Sequence, residues 1–377
     1  MGTLGRVIMR EVEQIARHPI LWVTTLCVPL FSLLFMDTIF SSGGMNDLSI
    51  GVIDCDNTPT TRAITRTLDS SPTLHISHYY TSTSEALEGL RRCEIYGFVE
   101  FPERITEAMM MGTEATIPYY YHYALMSVGG EIAAALRTTL TLASIEPIAE
   151  VATALGVPTE HITTFLEPIG VDIHPLGNPT LNYHKWLTAP FFYIMFQIVV
   201  LLVTLYSVGS ERTRGRGGEW LECARGDMLC ALMGKLLPYT LSFFAVGLVA
   251  VWVLDKSVGL AGALWWHAVL TLLLITASQA LAIFVYSLVL ILGISMSFAS
   301  MIGSLGATLS GVTFPLRSMY PIFDNLALAL PVRHFMILSE GESWSSGWVH
   351  IVILLAFGLL PLITLRRLQH AIATPER

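Results

Sequence analysis

The sequence predicts an α-helical integral membrane protein with six transmembrane helices and an α/β domain inserted between the first and the second helix. Hydrophobic residues make up 53% of the 377-residue chain and charged residues only 13%, whereas soluble domains carry about 25% charged residues. One long apolar run lies near the amino terminus and several follow residue 185, and an acidic stretch at residues 41–185 separates them. A chain of this composition needs a bilayer to cover its apolar surface.

Residues 1–19 and 20–40 predict an interfacial helix followed by the first transmembrane helix. Apolar and charged residues recur at helical spacing in residues 4–17, which is typical of a helix lying along a membrane surface, although a plain overhang fits the pattern equally well. Pro19 ends this helix because proline restricts the residue before it. The next apolar run is long enough to cross a bilayer and longer than the core of a cleaved signal peptide.

Residues 41–185 predict a separate α/β domain. This stretch holds 17 Asp or Glu against 7 Lys or Arg, and short β-prone segments alternate with helical ones, as in an α/β layer. The predicted strands are Leu48–Asp54, Leu74–Tyr80, Ile95–Phe101 and Thr116–Tyr123, and the predicted helices are Thr58–Ser70, Ser84–Arg92, Pro102–Met111 and Ser127–Leu155.

Two residue pairs in this domain are candidates for chemistry. Asp54 and Asp56 fit either a metal or acid–base site or a turn that caps the next helix, and the lack of a neighbouring His or Cys at ligand spacing favours the turn. Cys55 and Cys93 fit either a disulfide in an oxidising compartment or two small buried thiols.

Residues 186–377 predict transmembrane helices 2 to 6. Apolar runs cover residues 186–208, 229–254 and 347–365, and no Asp, Glu, Lys or Arg occurs from Ser257 to Leu316, which is room for two more spans. The segments at 1–19, 209–235 and 366–377 hold eleven basic residues against seven acidic ones. This excess places them in the cytoplasm, with both termini inside, and the acidic domain outside; the same charge distribution excludes nucleic acid as a partner.

The most highly charged segment between two spans is Ser210–Pro238, and we expect a cytoplasmic loop at the overlapping residues 209–228. A solvated connector is one interpretation, and a docking site for a soluble partner is the other. The segment contains an E-R-x-x-G start, a Glu-x-Leu step and a G-K-x-x-P end, and in this it resembles the coupling loop of type-2 ATP-binding-cassette exporter permeases with a large external domain. The matching residues are Glu211, Arg212, Gly215, Glu219, Leu221, Gly234, Lys235 and Pro238. Gly217-Gly218 is a departure from that pattern, and so is Ala224-Arg225-Gly226 in place of a Thr-Pro.

A second similarity to these permeases lies after the fifth span, where they carry S-G-x-x-x-P and P-x-R-x-F steps. The resemblance implies a translocation or outer-gate region formed by Ser310, Gly311, Phe314, Pro315 and Arg333. For Arg333, an anion-binding role and simple snorkelling to the interface both fit the sequence.

The chain carries no G-x-x-x-x-G-K-[ST] loop and no row of intramembrane carboxylates, so we expect any transport energy to come from a separate chain. The resemblance implies a permease subunit of an exporter for hydrophobic or amphipathic, drug-like or lipid-like substrates. It implies an inner-membrane dimer with a second permease copy or a paralogue, driven by ATPase subunits that hold the ATP and Mg²⁺, with no catalytic site, cofactor or metal on this chain. By the same resemblance, a periplasmic adaptor and an outer-membrane channel join the expected partners.

Two other classes of function are compatible with the sequence. A membrane-anchored sensor or scaffold would act through residues 41–185 alone and would tolerate charge changes in the cytoplasmic loop. An ion-coupled carrier would work without an ATPase, and the uncharged membrane interior disfavours it.

Overall fold

A computed structural model describes residues 2–111, 113, 115–122, 126–154, 182–314, 319–340 and 344–374. The chain divides into two compact units. A membrane unit comprises Met1–Ser41 and Asn182–Arg377, and an inserted unit comprises Ser42–Leu181. The sequence predicts the corresponding domain at residues 41–185.

The inserted unit contains a mostly parallel sheet covered on both faces by helices. Its strands, in the order β2-β1-β3-β4, are β1 (Leu48–Asp54), β2 (Leu74–Tyr80), β3 (Gly97–Phe101) and β4 (Tyr119–Tyr121). β1 pairs in parallel with β2 and β3, and β4 is antiparallel to β3. The helices in the described part of this unit are Pro59–Asp69, Thr83–Arg91, Ile105–Met110 and Met126–Ala154.

The central strand β1 is apolar on both faces because helices cover both faces, the pattern expected of a buried parallel strand. Ile50 and Val52 pack with Ile64 and Ile132 from helices on one face, while Ile53 contacts residues of the helix Thr83–Arg91 on the other. The predicted order of strands and helices is the observed one, and β1 and β2 have the predicted bounds.

Asp54 and Asp56 form the turn between β1 and the next helix. Asp54 accepts hydrogen bonds from the backbone N–H groups of Asp56 and Asn57, at 3.2 and 2.8 Å. Asp56 accepts from the backbone N–H and the hydroxyl of Thr106. The hydrogen bonds of these two side chains agree with the turn interpretation. Among the described residues, no group of three or more His, Cys, Asp or Glu side chains is arranged to hold a metal ion.

The structure corrects both interpretations of Cys55 and Cys93, which are free cysteines and exposed. Cys55 follows the carboxyl end of β1, whereas Cys93 lies four residues before the amino end of β3. Because β1 and β3 run parallel, the two thiols lie at opposite edges of the sheet. A five-residue strand spans about 16 Å at its usual rise, well beyond the Cα separation that a disulfide allows.

In the described part of the membrane unit, six helices are long and apolar enough to cross a membrane. We number these spans 1 to 6: Pro19–Ile39, Tyr183–Thr213, Met228–Ser257, Leu264–Val289, Leu292–Leu309 and Gly347–Ala373. Spans 2 and 4 are the most buried. The predicted α-helical membrane fold with six spans is confirmed.

Three features of the membrane unit were not predicted. Span 1 contains a π-helical turn at Val23–Cys27, a feature that often marks functional positions. Between spans 5 and 6, the helices Pro321–Ala327 and Pro331–Ser339 form a pair bent by 90°. The helix of span 6 also continues to Ala373, beyond the predicted end at Leu365, with a break between Trp344–Phe357 and Leu360–Ala373.

Candidate functional site

The amino-terminal helix Thr3–Arg17 packs onto the membrane unit through an acidic side chain. Val7, Glu11 and Gln14 are buried, and their spacing of four and three residues places them on one face of the helix. Met9 and Val12 are exposed apolar residues of this helix. The helix is amphipathic as predicted, but the sequence analysis did not single out Glu11.

Four charged side chains from three helices meet around Glu11, and we call Arg10, Glu11, Glu211 and Lys235 the buried ion-pair cluster. Lys235 Nζ lies 2.5 Å from Glu11 Oε2 and 2.9 Å from Glu211 Oε1. Arg10 donates two hydrogen bonds to Glu211, at 3.0 and 2.7 Å. The cluster joins the amino-terminal helix to the end of span 2 and the start of span 3, and its two positive and two negative charges balance.

Neighbouring groups make further polar contacts with the cluster. Tyr239 donates its hydroxyl to Glu11 Oε1 at 2.8 Å, and Lys235 Nζ lies 5.1 Å from the centre of the Trp220 ring, within the range of a cation–π contact. With its amide oriented to fit the network, Gln14 donates to Glu211 Oε1 and accepts from Arg216.

This pairing offsets a large desolvation cost. Removing a charge from water costs several kcal/mol per ion, and a buried pair is stable only if the geometry is good and the other lone pairs are satisfied. Burial lowers the pKa of Arg10, but the hydrogen bonds and negative charge of Glu211 outweigh burial, so the pKa is raised above its ordinary value. Arg10 therefore stays charged throughout the physiological range.

Gly234 allows the amino-terminal helix to approach span 3 this closely. A Cβ atom at position 234 would lie 2.7 Å from Val7 Cβ, nearer than carbon atoms come without displacement. The Gly234-Lys235 pair thus combines close backbone approach with the cation that the cluster requires.

The short helix Gly217–Cys223 lies between spans 2 and 3 and has an inner and an outer face. Trp220 and Leu221 are buried, and Gly217 lies directly against Ile372 near the end of span 6. Glu219 and Glu222 are exposed. The outer face is therefore acidic, while the inner face contacts the buried ion-pair cluster through Trp220.

The turn that follows this helix accounts for the departure of Ala224-Arg225-Gly226 from the permease pattern. Arg225 and Gly226 both adopt positive φ angles, 55° and 81°, and end the helix as a left-handed cap does. Asp227 then caps span 3 by accepting from the backbone N–H groups of Leu229 and Cys230.

The structure separates the predicted coupling residues into three groups. Glu211, Gly234 and Lys235 surround the amino-terminal helix and are buried. Arg212 donates to the carbonyl of Leu290, where the chain turns from span 4 to span 5. The remaining positions belong to the short connecting segment, where Gly215 has a φ of 67°, Glu219 is exposed and Leu221 is buried. Span 2 remains helical to Thr213, four residues past the predicted start of the loop at 209.

The predicted outer-gate residues differ in burial and in backbone conformation. Ser310 is buried at the end of span 5, Gly311 has a φ of 93°, and Phe314 is exposed. Pro315 lies outside the described residues.

The structure changes the interpretation of Arg333. Its guanidinium donates at 2.7 Å to both the backbone carbonyl and the carboxylate of Asp324. It therefore ties together the two helices of the bent pair, and its charge is paired with the Asp324 carboxylate.

A second polar cluster, which the sequence analysis missed, joins the other ends of spans 1 to 3. We call Asp37, His184 and Ser257 the Asp37 cluster. His184 Nε2 lies 2.9 Å from both Asp37 Oδ1 and Ser257 Oγ, and Ser257 donates its hydroxyl to Asp37. The three residues are far apart in the sequence, and no local pattern connects them.

The fold and these clusters define a multi-pass membrane subunit in which the ends of several spans are fixed to one another by polar contacts. The profile of the family described as ABC-2 family transporter protein matches residues 19–365. The chain belongs to this family, and is thus the membrane subunit of an ABC transporter, a kind of subunit that works with a separate ABC ATPase. No curated protein matches the chain significantly.

Proposed function

We propose that the chain is the permease of an ATP-driven exporter and that the ATPase docks on the outer face of the short helix Gly217–Cys223. The observation that supports this most directly is the buried ion-pair cluster. It connects the inner face of that helix to the amino-terminal helix and to spans 2 and 3.

In this mechanism, the ATPase contacts Glu219 and Glu222, whereas Glu211 and Lys235 transmit the movement. Side chains buried inside the chain cannot be touched by a docking subunit, and separating them would expose uncompensated buried charges. A displacement of the short helix therefore moves spans 2 and 3 as one body, together with the amino-terminal helix.

The orientation follows from the basic residues. With the excess of Lys and Arg on the inside, both termini and the short helix are cytoplasmic, and the inserted unit is outside the inner membrane. Two permease copies, or this chain and a paralogue, bind two ATPases that hold ATP and Mg²⁺. A periplasmic adaptor and an outer-membrane channel belong to the same proposal.

A hydrophobic or amphipathic substrate is supported by an apolar cavity of about 340 Å³ in the membrane unit. Its size is within the range of small-molecule sites. It is lined by Ile20, Leu21, Thr24, Val28, Val199, Leu202, Val203, Tyr206 and Met296.

The test is to purify the tagged chain from its native membranes in a mild detergent and to assay bound ATPase activity. We expect ATPase to co-purify with the wild type and to be largely lost in the double variant Glu219→Lys/Glu222→Lys, because both changes reverse charges on the docking face. Glu13→Lys is the matched control, since Glu13 is also an exposed helix carboxylate but lies outside that face. A well-folded chain that never carries ATPase in several mild detergents would favour the sensor or scaffold.

A further inference from the structure

The apolar cavity has a polar rim at one end. Tyr206 lines the cavity, and its hydroxyl accepts a hydrogen bond from Arg214 Nη2 at 2.8 Å. Arg214 Nη1 lies 3.5 Å from His18 Nε2, and His18 is two residues before Ile20, which also lines the cavity. A cation is therefore held at the mouth of an apolar space.

The inner surface of the cavity offers little to a polar ligand. Its one lining hydroxyl besides that of Tyr206 belongs to Thr24, which donates to the backbone carbonyls of Ile20 and Leu21 within its own helix, at 2.7 and 3.1 Å. Spans 1, 2 and 5 supply the remaining walls with aliphatic side chains and Met296. An alkyl chain fits this lining because it needs no hydrogen-bond partner.

Arg214 has no carboxylate partner in the part of the chain that the structure describes. Its side chain contacts Tyr206 and His18. This contrasts with Arg10, whose guanidinium forms an ion pair with Glu211 through two hydrogen bonds. An exposed arginine fixed by neutral partners is well placed to bind a carboxylate or phosphate group.

We propose that this cavity binds the alkyl chain of an anionic amphiphile whose headgroup binds Arg214, and that this amphiphile is the transported substrate. That the amphiphile is transported rests on the proposed function. The binding of the amphiphile to the cavity does not depend on it. Charge complementarity selects an anionic amphiphile over a cationic one, since an alkylammonium headgroup would be repelled by Arg214.

The test uses the full-length chain in lipid nanodiscs without any ATPase. The probes are a fatty acid with a diazirine near its methyl end and an alkylamine of equal length with the same diazirine. After illumination, mass spectrometry locates the label. We expect the fatty acid to label peptides of spans 1, 2 and 5 around Thr24, Val199 and Met296, and the alkylamine to label them much less.

Three variants decide between a specific cavity and general contact with lipid. Arg214→Gln is expected to reduce cavity labelling by the fatty acid about threefold, the loss expected for one exposed charge contact, without increasing it elsewhere. Val199→Phe and, independently, Met296→Phe fill the cavity from spans 2 and 5 and are expected to abolish labelling there. Arg6→Gln is the control, because Arg6 is exposed on the amino-terminal helix and does not line the cavity.

Equal labelling by both probes, or labelling unchanged by the two filling variants in folded protein, would overturn the proposal and indicate ordinary lipid contact. The outcome is separate from that of the ATPase assay. Cavity labelling without ATPase binding would leave an amphiphile site on a protein that is not an exporter, and ATPase binding without labelling would leave an exporter with a different substrate.

Discussion

The two ends of the bundle of spans 1 to 3 are joined by polar clusters of different kinds. At one end, Glu11, Glu211 and Lys235 are almost completely buried, with side-chain exposures of 1%, 0% and 0%. At the other end, Asp37 and His184 retain exposures of 29% and 16%, and one partner is a hydroxyl. Lys235 and Ser257 lie on the same helix of span 3, so the two clusters are about 33 Å apart at 1.5 Å per residue.

The difference indicates which end is built to move as a rigid body. Permanent charges buried in pairs cannot be separated without a large penalty, whereas partly hydrated groups exchange their hydrogen bonds for water at low net cost. In the proposed mechanism, the end with the buried ion-pair cluster receives the movement from the ATPase, and the end with the Asp37 cluster opens.

The largest expected effect follows from removing Lys235. Lys235→Met leaves Glu11 as a buried carboxylate whose hydrogen bond comes from Tyr239, and breaking a buried pair in this way costs about 3–5 kcal/mol. We expect a large drop in the apparent melting temperature in detergent, measured by fluorescence-detected size exclusion after heating.

The double variant Lys235→Met/Glu11→Gln is the matched test of this interpretation. It removes one positive and one negative charge and leaves the bidentate pair between Arg10 and Glu211 intact. We expect it to be more stable than Lys235→Met alone. If the double variant loses stability additively, the cluster does not work as a charge-balanced unit.

A smaller effect is expected from closing the space between the amino-terminal helix and span 3. Gly234→Ala places a methyl group against Val7, and overpacking of this kind costs about 1–3 kcal/mol. Gly218→Ala is the control, since a Cβ at that exposed helical position has no neighbour within 4 Å. Val7→Ala should rescue Gly234→Ala, and a Gly234→Ala protein as stable as the control would refute the close-packing argument.

Local sequence patterns were sufficient to predict the spans and the strands. The length of an apolar run and the alternation of strand and helix segments in residues 48–80 depend on residues close together in the chain. The six spans and the bounds of β1 and β2 could therefore be predicted from the sequence. The break at Leu290, with a φ of 59°, lies within the uncharged stretch from Ser257 to Leu316, for which the sequence predicts two spans.

The clusters could not be predicted in this way because their partners are distant in the chain. Glu11 and Lys235 are 224 residues apart, and Asp37 and His184 are 147 apart. One local signal was present. Glu11 lies four residues after Val7 and four before Ile15, so it falls on the apolar face of the helix, where a carboxylate requires a buried partner. The motif residues Glu211 and Lys235 were identified, but the sequence alone gave no indication that they are buried.

At the opposite end of the bundle, a modest effect is expected. Asp37→Asn weakens the contacts with His184 and Ser257, and for a partly hydrated cluster we expect a cost of about 1 kcal/mol. Thermal unfolding in the same detergent should rank it well below Lys235→Met. A cost for Asp37→Asn as large as that of Lys235→Met would remove the contrast between the two ends.

The smallest effect concerns Asp56 of the inserted unit, whose described hydrogen-bond donors are hydroxyl and backbone N–H groups. It therefore extends the comparison from charged partners to neutral ones. Burial raises the pKa of Asp56, but hydrogen bonds from Thr106 and Thr58 outweigh it, so the pKa lies below its ordinary value. A carboxyl group with a lowered folded-state pKa stabilises the fold above its unfolded-state pKa, near 4, and this contribution disappears as the pH falls through the folded-state value.

Thr106→Val removes one donor and should therefore shift the loss of stability to higher pH. The measurement is hydrogen exchange in peptides covering Leu48–Asp54 of the full-length chain, corrected for the intrinsic pH dependence of exchange. If Thr106→Val left the acid transition of these peptides unchanged, hydroxyl donors alone would not be what lowers this pKa.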